Sequence, residues 1–520
     1  MAFGAAAVLL AGLHLSALGT SPPGLYNDEA SIGYNAWAIA HHGVDEHGVS
    51  FPLYFEAFGE YKGPISIYLL APFTWVLPLT PYVERLPSAL CGLLIAVFAG
   101  LVAYRLFGSR PVALLALLTA GLEPWLFLDS RTNLEAIVPM TLGFVVALWC
   151  LAHVEPGDTW RWFFGAGTAL GVALFAYTPA RVFVAVTAVI IAVAYRFPAG
   201  RYRNWWAVLP PVIAAYVVYL QWTLRHSGAL NGRFGALSIS ADNPGLLTLA
   251  GRFLGNYVQY LGFPFLFSHG DANPRHNTGF GGMLFIVSLP VLVAGLVACV
   301  RRLDQALPRV ALMGLVTAPV PAALTEDGTP HSLRSVLMMP FVLLIISYGW
   351  DTAWPWLLKR RAWAIALAVV ASLEVGGYMY DLFVEYPGRT VVAYRSDCAC
   401  TWFDSGIGDA IVRAHDSAAG HTVLLSNSLD TPYIQALFRL RPDPADYARR
   451  GLSVLDMEAL GAVDIPQRAK PGDLMVLDPH DAVPSGSTHL FDESVTVARH
   501  TAEVGQADSF TVVLASVYRR

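Results

Sequence analysis

Long apolar runs alternate with short polar stretches over the first three-quarters of the chain, and then the alternation stops. Eleven runs carry few charges: 2–20, 85–106, 111–128, 133–152, 161–178, 181–196, 205–222, 282–300, 308–324, 334–350 and 362–382. A hydrocarbon core about 30 Å thick takes roughly 20 apolar residues of helix, so each run predicts a membrane-spanning helix. The first run has neither a basic n-region nor an A-x-A cleavage site, so it reads as a helix and not as a signal peptide.

The polar stretch after the first run, residues 21–84, is unusually charged. Between Tyr26 and Gly63 it holds Asp28, Glu29, Asp45, Glu46, Glu56, Glu60 and Lys62. Residues 28–42 predict a short helix. Asp28 lies near its start, where the positive end of the helix dipole favours a carboxylate. Ile32, Ala36, Ile39 and Ala40 form an apolar stripe at helical spacing. Residues 64–79 are apolar but broken by Pro64, Pro72 and Pro78, too short a helix to span. Both helices are expected to lie along the outer membrane face.

Beyond about residue 385 hydrophobicity drops. The β-like runs 421–426, 473–479 and 509–518 alternate with helix-like segments near 402–415 and 431–438. The expected architecture is therefore a polytopic α-helical membrane module, 1–384, followed by an extracytoplasmic α/β domain, 385–520. That domain has no glycine-rich phosphate loop and no nucleophile motif, which points to acceptor recognition or stability.

Composition agrees. Of 520 residues, 55% are hydrophobic and 14% charged, against about 25% charged in soluble globular proteins. The net charge of −5 and the lack of a basic stripe exclude nucleic acid as a partner. Cys91, Cys150 and Cys299 fall in apolar runs. Cys398 and Cys400 form a C-x-C with no second pair to complete a zinc site. With the N-terminus cytoplasmic, Arg105, Arg110, Arg161, Arg196, Arg203, Arg301, Arg302, Arg309, Lys359, Arg360 and Arg361 fall in the inner loops. This bias predicts a multi-pass protein of a bacterial inner membrane, with the first loop and the tail outside.

The outer loops hold the candidate chemistry. Asp129, Arg131 and Glu135 lie between the third and fourth spans. Arg131 and Glu135 are either functional or an i,i+4 pair that orients the next helix. The turn from Tyr177 to Arg181 puts a guanidinium where it could hold a phosphate in bidentate fashion. Asp271, Asn273, Arg275 and His276 crowd a glycine-rich loop of the kind that closes over a cavity. Asp271, His276 and His269 could also be read as metal ligands, but the spacing is not diagnostic and no metal site is assigned. His331 and Arg334 sit in a further outer loop and are read as substrate-binding.

Asp28-Glu29, then G-Y-N-A, D-E-H-G, P-L-Y, Y-K-G-P and E-R-L-P-S-A-L in that order resemble the bacterial branch of the protein O-mannosyltransferase-like membrane glycosyltransferases. The lipid A aminoarabinose transferases look like more distant relatives. These are family 39 and 83 types, with an architecture called GT-C. The similarity is clearest over residues 24–182, weaker through GDANPRHN and TPHSLRSVLMMP, and absent from the tail. It implies an inverting transfer of a monosaccharide from a polyprenyl-phosphate donor to an acceptor hydroxyl, outside the membrane. It further implies Asp28 as general base, with Glu29 beside it for positioning. Lys62 is implied at the donor phosphate, with Arg131 and Arg181 as weaker assignments. Glu135 and Tyr177 join the substrate-binding set. The resemblance implies no required cofactor, although oligosaccharide-transferring cousins need a divalent cation.

A transporter or flippase of lipid-linked sugars is the competing class. It would show paired repeats and broken helices at mid-membrane, whereas here no repeat is visible and the polar residues cluster in the loops. A receptor-like scaffold is a third class, disfavoured by the outer cluster of acids, lysine and arginines. The sugar and the acceptor (protein, glycan or lipid) stay open.

Overall fold

The computed structural model of the chain describes residues 2–157, 160–196, 202–229, 237–326, 328–397, 403–499 and 508–520, so Cys398 and Cys400 lie outside the described residues. Its contacts divide it into two compact units. One comprises Met1–Ser16, Glu56–Ser66 and Pro87–Met379; the other comprises Ala17–Phe55, Ile67–Leu86 and Tyr380–Arg520. This differs from a break at 384, because most of the first loop falls with the tail, while Glu56–Ser66 falls with the helices.

The first unit is helical. It holds α1 (Ala2–Leu15), most of α4 (Pro81–Phe107), α5 (Arg110–Leu122), α6 (Pro124–Asp129), α7 (Ile137–Ala152), α8 (Trp160–Ala173), α9 (Ala180–Arg196) and α10 (Leu209–Arg225). Helices Leu246–Leu261, Leu289–Arg301, Ala306–Thr317, Met339–Lys359 and nearly all of Arg361–Tyr380 follow. Each of the eleven apolar runs coincides with helix. Among the described residues, six helices are by themselves long and apolar enough to cross a membrane, and five shorter apolar ones accompany them. The span Ser332–Lys359 is buried throughout its apolar window, as expected of a helix with no polar stripe to turn towards solvent.

Two runs are interrupted. The run 111–128 breaks at Glu123, whose extended backbone (ψ 131°) separates α5 from α6. Pro124 forces this, since its ring disfavours the helical region for the residue before it. The run 133–152 becomes helical only at Ile137, because Glu135 and Ala136 are both left-handed (φ 49° and 56°).

In the second unit, α2 (Asn27–His42) buries the predicted stripe. Ile32, Ala36 and Ile39 pack with Phe55, with Ile67, Leu70 and Ala71 of α3 (Ile65–Val76), and with Val83. The tail forms a five-stranded mixed sheet in the order β4-β3-β5-β7-β6, counting from the short hairpin β1 (Phe55–Ala57) and β2 (Glu60–Lys62). Strands β3 (Val423–Ser426), β5 (Leu474–Leu477) and β7 (Asp508–Arg519) fall on the predicted runs. β4 (Met457–Leu460) and β6 (Thr488–Arg499) were not visible as strands in the sequence. β6 is mostly polar and pairs with β7 across two register irregularities, so its hydrophobic alternation is broken. Helix Ile407–Ser417 lays Ile407, Ala410, Ile411 and Ala414 onto Val423, Leu425, Leu474 and Val476.

The loop and the tail share hydrogen bonds. Asn27 Nδ2 donates to the Asp430 carbonyl (3.1 Å), Gln435 Nε2 to Asn27 Oδ1 (3.3 Å) and the Tyr34 hydroxyl to the Pro442 carbonyl (2.9 Å). Gly33 allows the approach, because a Cβ there would lie 2.5 Å from the Phe438 ring.

Candidate functional site

At the start of α2 the sequence places two carboxylates in adjacent positions, and the fold separates them. Glu29 and Arg85 are both fully buried. Arg85 donates from Nε to Glu29 Oε1 (2.8 Å) and from Nη2 to Glu29 Oε2 (2.9 Å). Its remaining donors reach the carbonyls of Leu18 and Pro22 (2.8 Å each) and of Gly24. Glu29 Oε2 also accepts the Tyr26 backbone N–H at 2.9 Å, which caps the helix. With its oxygens held by a bidentate guanidinium and a backbone amide, Glu29 is spent on fixing the helix start. Asp28, half-buried, is one residue earlier and so about 100° round the helix. The sequence reading named Glu29 but did not find its partner, Arg85, the arginine of E-R-L-P.

Lys62 ends β2, after the two-residue turn Phe58-Gly59. Its Nζ is 2.7 Å from Glu135 Oε1 and 3.9 Å from Glu60 Oε2, and the residue is 8% exposed. The following Gly63 carries no side chain for a reason: a Cβ would lie 2.4 Å from the Ala176 carbonyl oxygen and 2.5 Å from that of Phe175. Gly63, the residue after Lys62, thus lies against the turn that leads to Tyr177 and Arg181. Glu135 meets Lys62 from a left-handed backbone that non-glycine residues rarely adopt, with Ala136 strained in the same way. Strain of this kind persists only where the surroundings over-determine it and is concentrated at functional sites.

Arg131 is directed elsewhere than to Glu135, so the i,i+4 pair read from sequence does not form. It is fully buried, and its guanidinium donates to the carbonyls of Leu13 and His14 (3.3 Å each) and Ser16 (2.6 Å), at the end of α1. A cation is favoured there by the negative end of the helix dipole. Glu135, its proposed i,i+4 partner, goes to Lys62 instead. Arg181, at the start of α9, lies over the Tyr219 ring at 5.9 Å.

A third group forms round Asp271. Its Oδ2 accepts from His276 Nδ1 (3.0 Å) and from the Ser332 backbone N–H (2.7 Å), and its Oδ1 from the Asn273 N–H (2.8 Å). Asn273 Oδ1 accepts the N–H of Arg275 at 3.0 Å. The His276 and His331 rings are 4.7 Å apart. Arg334 Nη1 donates to the Thr325 hydroxyl (3.1 Å). Burial holds both imidazoles below their ordinary pKa range, so they are neutral at pH 7. Burial alone would raise Asp271, but the hydrogen bond from His276 and the Ser332 N–H outweigh it and keep the carboxyl ionised. The ligand atoms of Asp271, His276 and His331 lie within 4.8 Å of one another, a spacing able to hold a metal ion. The third member is His331, brought from a separate loop, and not His269, whose Nδ1 is engaged by Ser268 Oγ at 2.8 Å. Nearby Asp129 is fully buried, and neither of its carboxylate oxygens has a hydrogen-bond partner among the described residues. Burial, with the charge of Asp271, raises its pKa well above the usual range.

Comparison with known proteins now has a geometry to meet. Residues 61–222, which include Lys62, Glu135 and Arg181, match the family model described as dolichyl-phosphate-mannose-protein mannosyltransferase. No curated protein matches the chain by sequence. Among solved structures, it is similar to ArnT from Cupriavidus metallidurans bound to undecaprenyl phosphate, at 14% identity and TM-score 0.57, covering 99% of this chain and 97% of that one. It is similar to the arabinofuranosyltransferase AftD from Mycobacteria at 16% identity and TM-score 0.50, covering 99% of this chain and 41% of that one. The Archaeoglobus fulgidus oligosaccharyltransferase tethered to an acceptor peptide matches at 12% identity and TM-score 0.50, over 92% of this chain and 69% of that one. The family model covers less than a third of the chain, and the fold is that of the ArnT structure over nearly its whole length: a multi-pass α-helical membrane protein.

Proposed function

We propose that this GT-C chain is an inverting glycosyltransferase that moves one sugar from a polyprenyl-phosphate donor to an acceptor hydroxyl outside a bacterial inner membrane. The observation that carries the reading is Lys62: a nearly buried ammonium held by a strained Glu135, within the family-matched segment. The ArnT structure that shares this fold along its whole length is bound to undecaprenyl phosphate, which supports the same class of donor here.

The proposed chemistry needs no covalent enzyme intermediate. Asp28 takes the proton of the acceptor hydroxyl as its oxygen attacks the anomeric carbon. The bond from that carbon to the phosphate oxygen breaks, and polyprenyl phosphate leaves with its negative charge. Lys62 and Arg181 stabilise that charge. A single in-line attack inverts the anomeric centre. Glu29, fixed by Arg85, positions the helix that carries Asp28. No metal is assigned to this transfer. The α/β tail, extracytoplasmic in this reading, is assigned to acceptor recognition.

The test is release of polyprenyl phosphate from donors labelled in mannose, glucose, galactose or aminoarabinose, with purified protein in detergent. Asp28→Asn is expected to abolish release while leaving the melting temperature unchanged, and Lys62→Ala to raise the donor KM. Unchanged turnover in Asp28→Asn overturns the base assignment.

A further inference from the structure

The strand that carries Lys62 also meets an aromatic cluster. Tyr61, its neighbour in β2, packs edge-on against Trp222 with ring centres 5.2 Å apart, and lies 6.4 Å from His226. Trp222 and His226 stack at 4.1 Å with their planes 14° apart. Both stand at the end of α10. One and two turns back on the same face come Tyr219 and Tyr216, packed edge-on at 6.3 Å. Tyr219 lies under the Arg181 guanidinium, and the Tyr216 hydroxyl donates to the Arg181 carbonyl at 2.5 Å. The stripe therefore runs from Tyr61, the strand neighbour of Lys62, to Arg181. From residue 216 to 226 it is about 15 Å long at the helical rise, enough for the first few isoprene units of a lipid.

Tyrosine and tryptophan that only anchor a protein at the membrane interface sit at headgroup level on the lipid side. These do not. Tyr216, Tyr219 and Trp222 are half-buried, while Ile213, Val217, Leu220 and Leu224 on the other side of α10 are more than half exposed. The helix gives its aliphatic face to lipid and its rings to the protein. Ring faces suit a flat, unsaturated, methyl-branched chain better than a flexible saturated one. The stacked π surface is larger, and a stiffer chain loses less freedom on binding.

We propose that Tyr61, Trp222 and Tyr219 seat the first isoprene units of the polyprenyl phosphate and select an unsaturated chain over a saturated one. The proposal rests on the donor class given above. The probes are farnesyl phosphate and its saturated counterpart, 3,7,11-trimethyldodecyl phosphate, titrated into the full-length chain in detergent and read by native mass spectrometry. The wild type is expected to prefer farnesyl phosphate by about tenfold, the scale of one good aromatic contact. Trp222→Leu and Tyr61→Leu lose this preference, chiefly by weakening farnesyl phosphate, and Trp222→Phe keeps it. A preference that survives Trp222→Leu, or one lost equally in Trp222→Phe, overturns the seat. Lys62→Ala weakens both lipids together; if it binds both like the wild type, the donor reading fails instead.

Discussion

Replacing Glu29 with glutamine puts the design of the α2 start to a quantitative test. The change keeps the shape and removes the charge, leaving the Arg85 guanidinium fully buried with three carbonyls and without its hydrogen-bonded counter-ion. Breaking a buried pair by removing one partner costs about 3–5 kcal/mol, because the surviving charge stays desolvated. In a unit of this size each kcal/mol lowers the melting midpoint by about 2–4 °C, so Glu29→Gln should fall by roughly 6–20 °C. The double variant Glu29→Gln/Arg85→Met carries neither charge of the pair and should recover more than half of that loss. Differential scanning fluorimetry on detergent-purified protein reads all four corners of the cycle, with donor turnover measured below each midpoint. A Glu29→Gln midpoint within 1 °C of the wild type would falsify the assignment of this pair as the anchor of α2. A double variant less stable than either single one would do the same.

Other consequences are open to test. Gly63→Ala forces a Cβ onto two backbone carbonyls that cannot yield as a side chain would, so it should shift Lys62 and raise the donor KM about tenfold or more with the fold retained; unaltered kinetics would mean the segment has slack. The His276 and His331 pKa values are lowered in the folded state. Their contribution to stability is therefore complete above about pH 6.5 and is lost as the pH falls, by up to about 1.4 kcal/mol per pH unit for each imidazole. Melting midpoints from pH 8 to 5 should drop accordingly, and His331→Gln should flatten that slope. Donor turnover is expected to survive dialysis against EDTA. A loss restored by zinc would instead assign Asp271, His276 and His331 to a metal that the reaction needs.

Much of this protein follows from the order of its residues. Apolar runs of spanning length become helices because an uninterrupted hydrophobic stretch has no better way to satisfy its backbone in a membrane. The α2 stripe of Ile32, Ala36 and Ile39 was legible because helical burial repeats at short range. Strands β3, β5 and β7 were legible as compact apolar runs, whereas the polar β6 was not, since its pairing with β7 supplies what its own alternation lacks. Charge marked only the first loop as a stretch that a membrane protein rarely carries without use; Asp28 and Lys62 were singled out within it by the ordered motifs that resemble a known family.

The partners of those charges belong to the tertiary structure. Nothing near Glu29 in sequence announces Arg85, 56 residues on. Nothing ties Glu135 to Lys62 across 73 residues rather than to Arg131 four away. His331 joins Asp271 only because two loops meet, and the rings of α10 reach Tyr61 and Arg181 only once the helices are packed. Periodicity records which face of an element is buried, since that is a local property of the chain. It carries no information on which distant group meets a buried charge. That choice is made by packing, where each desolvated ion must find a counter-ion or a carbonyl within hydrogen-bond reach.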